Sequence, residues 1–182
     1  VQYFTPVAVP RSGGTRVRLR TSNLVGTSFM CLFKPFAIVD AEFSSSADTV
    51  SCVFPESAHA AELPPHMVLE ITTDGDHFSD DAVELNVYSV ARIQCAHGPS
   101  AGGHSTTLHG AGFIDETTGL LLPALNRKVR FGHDPVPYVP SDGTTSTLSI
   151  VTPPGTAGDR VPVEVTFIGN DPQCQNGVVP GC

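Results

Sequence analysis

The sequence predicts an all-β fold made of two copies of one unit. Three observations carry this. First, a Gly-Gly corner opens the same pattern twice: Pro10, Gly13 and Gly14 lead into Arg16–Arg20, and Pro99, Gly102 and Gly103 lead into the run up to Leu108. The second corner follows the first by 89 positions (102 − 13), close to half the chain. A later echo, Leu69-Glu-Ile-Thr-Thr-Asp-Gly against Val163-Glu-Val-Thr-Phe-Ile-Gly, is offset by 94 (163 − 69). Matched segments in matched order are the mark of a duplicated unit. Second, apolar residues alternate with polar ones at the period of a strand. Third, turn residues punctuate the chain at short, regular intervals, and no segment sustains a helical period.

The elements follow in order. Arg16 to Arg20 alternates cleanly, with Arg16, Arg18 and Arg20 on one face and Val17 and Leu19 on the other. Phe29 to Phe33 is a short apolar run suited to a buried strand. Val83 to Val87 alternates again, and Thr147 to Val151 repeats the buried-strand pattern. Val161 to Phe167 alternates, with Pro162 placing it at an edge or a strand start. Turns fall at Gly13-Gly14, Pro64-Pro65, Asp74-Gly75, Gly102-Gly103, Asp142-Gly143 and Pro153-Pro154. One single-turn helical candidate covers residues 56–62. The unit boundary is read near Ser89-Val90, giving units of residues 1–89 and 90–182 joined without a flexible linker.

Composition narrows the function. With 10 Lys and Arg against 18 Asp and Glu, the net charge is −8. An acidic chain repels phosphate backbones, so no nucleic-acid partner is expected. Arg11, Arg16, Arg18 and Arg20 form the local exception, read as a solvated outer face or a docking patch for an acidic partner. No apolar stretch is long enough to span a bilayer, and no membrane insertion is expected. The chain opens at Val1 without a leader pattern and reads as a mature chain or an excised piece. The five cysteines lack CxxC spacing and zinc-like His/Cys sets, so neither a metal nor another cofactor is expected. Cysteines scattered through small β units suit an oxidising compartment. Cys31 and Cys52, each flanked by apolar residues in the first unit, are the first disulfide candidates. Cys174 and Cys182 are the second. Cys95 is left over, either buried and free or paired with another chain.

Each unit resembles an IPT/TIG domain, the immunoglobulin-like sandwich found in plexin-type receptors, other cell-surface proteins and some transcription factors. In the second unit the resemblance rests on Gly98-Pro99, Gly102-Gly103, Leu108 to Phe113, Val129 to Gly132 and Thr152 to Pro154. In the first it rests on Gly13 to Thr15, Cys31 to Phe33, Cys52 before Pro55, and Asp74 to Ser79. It implies two immunoglobulin-like β-sandwiches in tandem. The first unit departs at residues 23–28 and the second at residues 117–127.

Candidate chemistry is sparse. His97, His104 and His109 lie in one stretch, but His104 and His109 fall on opposite sides of a regular strand, which argues against a shared metal. Asp74, Asp76, Asp80 and Asp81 surround His77; their spacing departs from the EF-hand pattern and reads as an exposed turn with Phe78 tucked inward, a weak calcium loop being the alternative. No Gly-x-Ser-x-Gly, nucleophile triad or Walker loop is present, and no catalysis is expected. The Ser/Thr-rich loop at residues 140–147 is a candidate for O-linked sugars.

The chain ends suggest assembly. The second unit reads as short of its last strand, leaving an acceptor edge at Val163, Val165, Phe167, Val178 and Val179. Tyr3, Phe4, Val7 and Val9 lie in an extended apolar segment suited to fill such an edge on another copy. The sequence therefore points to an extracellular structural or adhesive protein acting through protein contacts, in its preferred form a head-to-tail fibre or surface-layer subunit. The alternatives are a piece of a receptor or adhesin ectodomain, or a carbohydrate-binding or spacer module of a larger enzyme.

Overall fold

A computed structural model of the chain describes residues 3–22, 24–46, 48–56, 63–115, 120–121, 128–132, 134–137 and 143–167. All regular elements among them are strands, so the predicted all-β class holds. The chain divides into two compact units, one reaching to Val87 and one beginning at Tyr88.

The first unit holds β1 (Tyr3–Thr5), β2 (Ala8–Pro10), β3 (Arg16–Arg20), β4 (Met30–Lys34), β5 (Ala37–Ser44), β6 (Thr49–Val53) and β7 (His66–Thr72), and it ends inside β8 (Val83–Ile93). Its strands pair antiparallel in the order β1-β3-β6-β5-β4-β7-β8, with β2 also on β8. β5 curls this sheet on itself. Ala37 to Asp40 pair with β4, and Ala41 to Ser44 pair with β6. Two layers then face each other across a core that includes Val17, Leu19, Phe33, Phe54, Leu69 and Leu85, all fully buried. The rings of Phe33 and Phe54 meet edge to face at 5.3 Å. The alternation of Arg16 to Arg20 is realised as read, with Val17 and Leu19 inward. Cys31 on β4 and Cys52 on β6 are buried and joined by a disulfide, with Cα atoms 6.3 Å apart.

The second unit holds the end of β8, then β9 (Ser105–Ala111), β10 (Ile114–Asp115), β11 (Leu120–Leu121), β12 (Lys128–Phe131), β13 (Asp134–Pro137), β14 (Thr147–Val151) and β15 (Val163–Thr166). One sheet runs from β8 through β9 to β14, and another has the order β13-β12-β15. Leu108, Phe113, Val129, Leu148, Ile150 and Phe167 are buried.

Several ladders of the two units share one register. Tyr3 pairs with Arg20 and Phe4 with Leu19 in the first. Arg92 pairs with His109 and Ile93 with Leu108 in the second, each 89 positions on. Arg16 to Arg20 pair with Val53 to Thr49, and Ser105 to His109 pair with Val151 to Thr147. Across the facing pair, Cys31 opposes Ile71 and Val129 opposes Val165. The offset is 89 from β3 to β9, 98 from β4 to β12 and from β6 to β14 (129 − 31, 150 − 52), and 94 from β7 to β15 (165 − 71), so a longer connection after β9 absorbs nine residues and a shorter one before β15 returns four. Cys31 and Cys52 fall on Val129 and Ile150, which pack as plain apolar residues.

Several boundaries differ from the sequence reading. The strand expected from Val161 begins at Val163, because Pro162 has no N–H to offer a ladder. The apolar run from Phe29 becomes a strand from Met30 to Lys34. β8 runs unbroken through Ser89 and Val90, with a bulge between Val90 and Arg92. Of the helical candidate at 56–62, all but Glu56 lies outside the described residues.

Candidate functional site

The Gly-Gly corners are built alike. The N–H of Gly13 donates to the carbonyl of Pro10 at 3.0 Å, and that of Gly102 to Pro99 at 3.0 Å. The N–H of Gly14 donates to the carbonyl of Phe54, and that of Gly103 to Thr152, both at 2.8 Å. All four glycines have positive φ. A Cβ at Gly13 would collide with the backbone of Pro55 and Glu56, and one at Gly102 with that of Pro153 and Pro154. Each corner thus locks a strand start against the end of its partner strand, which is a structural task.

The acidic loop after β7 is a self-capped turn. Asp74 Oδ1 accepts hydrogen bonds from the Thr72 hydroxyl at 2.8 Å and from the N–H groups of Asp76 and His77 at 2.9 Å. Asp74 Oδ2 lies 2.9 Å from His77 Nδ1. The backbone donors of His77 and Asp76 hold the Asp74 carboxyl well below the usual carboxylate range, and the same contact raises His77. This carboxylate is spent on the turn, which fits the exposed-turn reading better than a cation loop. Phe78 is half-buried beside it. A hollow of about 350 Å³ next to the turn is lined by Thr21, Leu24, Ile71, His77, Phe78 and Asp81, among others.

The remaining candidates are dispersed. His97 and His104 are exposed; His109 lies on β9, with Nε2 buried and unpartnered. Among the described residues, no group of three His, Cys, Asp or Glu side chains is placed to hold a metal ion. Cys95 is free and exposed, which corrects its buried alternative. Its counterpart 89 positions earlier, Pro6, is buried next to β2, whereas residues 95–101 form no strand. Cys174, Cys182, Val178 and Val179 lie outside the described residues, as do residues 140–142 of the Ser/Thr-rich loop.

Tyr3 and Phe4 lie in β1, paired with β3 of their own unit. The Val7 carbonyl accepts from the Asn86 N–H at 3.1 Å, and Val9 is fully buried. Donation of this segment to another copy would require withdrawing it from these partners. Val163 and Val165 lie on β15 beside β12, and Phe167 is buried against Tyr88 with ring centroids 4.6 Å apart. The Tyr88 hydroxyl donates to the carbonyl of Val165 at 3.0 Å. Sequence reasoning had no signal for that bond, because it joins residues 77 positions apart.

These features define an all-β, immunoglobulin-like fold whose visible polar devices are structural. Residues 88–179 match the IPT/TIG domain, which is half of the chain, and the chain belongs to that family. No curated protein matches it. Two similar solved structures are of the full extracellular region of Plexin A4. One, with domains 1 to 8, is 19% identical with a TM-score of 0.44, covering 90% of this chain and 16% of that one. The other, with domains 1 to 10, is 16% identical with a TM-score of 0.43, covering 93% and 14%. This chain therefore spans a small part of those proteins' length.

Proposed function

We propose that both units are IPT/TIG-type sandwiches, and that the chain is a section of the extracellular region of a receptor-type surface protein. It acts as a non-catalytic module that presents faces and loops for contact with other proteins. The observation that carries this reading is the buried Cys31–Cys52 disulfide of the first unit, because such bonds persist in oxidising compartments. The matched ladder registers support two copies of the module. The fibre reading has no comparable support, since Tyr3 to Thr5 and Val9 are engaged within their own unit.

The test is to secrete the chain from eukaryotic cells, map its thiols by non-reducing peptide mass spectrometry, and measure its mass by light scattering. A Cys31–Cys52 linked peptide in a species of constant mass over a wide concentration range supports the reading. Reduced cysteines in the secreted chain, or growth into long particles, would overturn it.

A further inference from the structure

The repeat within this molecule supplies its own control for one surface. Arg16, Arg18 and Arg20 project from the outer face of β3, with Val17 and Leu19 turned into the core. Their cross-strand neighbours on β6 are Val53, Ser51 and Thr49. In the second unit the equivalent neighbours on β14 are Val151, Ser149 and Thr147, the same three residue types in the same register. The strand facing them carries Ser105, Thr107 and His109 in place of the arginines. The outer row is thus kept on one strand and altered on the other. The fold does not need cations at these places, because the second unit forms the same ladder without them.

The electrostatics of this face run against those of the chain. The net charge is −8, yet the row concentrates three guanidinium groups about 7 Å apart along one strand. Arg16 is bonded to Glu42 on β5 at 2.5 Å, and Arg18 and Arg20 also take part in interactions within the chain, so an incoming anion would share these guanidinium groups with their present partners. The flanking side chains of Ser51, Thr49 and Ser44 are short and hydroxylated. Among the described side chains of this face, the exposed large apolar one is Val53, at 43%. Protein hot spots are enriched in Trp and Tyr beside Arg, and the described side chains of this face include neither aromatic. A flat row of forked donors among hydroxyls suits repeated oxyanions instead.

We propose that the outer face of β3 and β6 in the first unit binds a sulfated polysaccharide, with Arg16, Arg18 and Arg20 as the sulfate contacts. Only the place where the two would meet rests on the extracellular reading above; binding itself is tested on the purified chain. The probe is a heparin fragment of defined length, measured by calorimetry at low salt and by elution from immobilised heparin.

The chain is expected to bind, with affinity falling steeply as salt rises. The triple variant Arg16→Ser, Arg18→Thr, Arg20→His, which installs the second unit's own residues, is expected to keep its melting temperature and lose at least tenfold in affinity. Arg160→Ser, an exposed charge elsewhere, is expected to bind as the parent does. The reverse graft, Ser105→Arg with Thr107→Arg, is expected to strengthen retention, and it keeps the test open should the triple variant unfold. Absence of binding, an undiminished triple variant, or a graft without effect would overturn the proposal. Equal binding of poly-glutamate would also overturn it, in favour of an acidic protein partner.

Discussion

Gly13 and Gly102 carry the same backbone twist at the same corner of their respective units, with φ of 84° and 70°. Each approaches the backbone at the end of its partner strand so closely that a Cβ does not fit. Gly14 and Gly103, next in line, have positive φ but open space around the Cβ position. Gly13→Ala and Gly102→Ala should therefore each cost about 3 kcal/mol, combining collision with strain. Gly14→Ala and Gly103→Ala should cost about 1 kcal/mol from strain alone. Urea unfolding of the four variants checks the ranking.

The disulfide should act on the stability of the first unit alone. Reduction of Cys31–Cys52 should destabilise the first unit by about 3 kcal/mol and leave the second unchanged. The double variant Cys31→Val, Cys52→Ile installs the pair that fills the same place in the second unit. It should recover packing while still losing the cross-link. Hydrogen exchange resolved by mass spectrometry, with and without reductant, locates the effect: protection should fall in β3 to β7 and persist in β9 and β14.

Tyr88 gives the second unit an alkaline limit. Burial pushes its phenol above the ordinary tyrosine range. A folded pKa raised above the unfolded one contributes stability that is full below about pH 10 and is lost as pH rises beyond it. Tyr88→Phe should cost about 1 kcal/mol near neutrality, through loss of the hydrogen bond to Val165. It should also remove part of the alkaline loss. Melting temperatures of both proteins from neutral to alkaline pH check the sign.

The Asp74–His77 turn should be firmest in mildly acidic solution. His77 is raised by its contact with Asp74, so its contribution is full below the unfolded value of about 6.5 and fades as pH rises through the folded one. Asp74 is lowered, so its contribution is full above about pH 4 and fades as pH falls. Both windows overlap between about pH 4 and 6.5. NMR titration should place His77 above the ordinary histidine value, and Asp74→Asn should return it there.

Much of this architecture was legible because it is local. The glycine corners announced themselves by composition, and the alternation in Arg16 to Arg20 gave both faces of β3. Cys31 and Cys52 were legible as a pair from their apolar flanks. The curl of β5 was not, since Ala37 to Ser44 serves two neighbours at once and its alternation says nothing about which. The matched rows Thr49, Ser51, Val53 and Thr147, Ser149, Val151 were present in the sequence, yet their offset of 98 differs from the 89 set by the corners. Only the ladder register brings them together. The exposure of Cys95 depended on the absence of a β2-like strand in the second unit, which no residue near Cys95 encodes. The Tyr88–Val165 bond depends on tertiary packing alone.

The repeat itself is tested most directly by cross-strand nuclear Overhauser contacts in the intact chain. Val17 should face Cys52 and Thr106 should face Ile150, with every neighbouring pair in step. A register in the second unit slipped by one residue from that of the first would contradict the account.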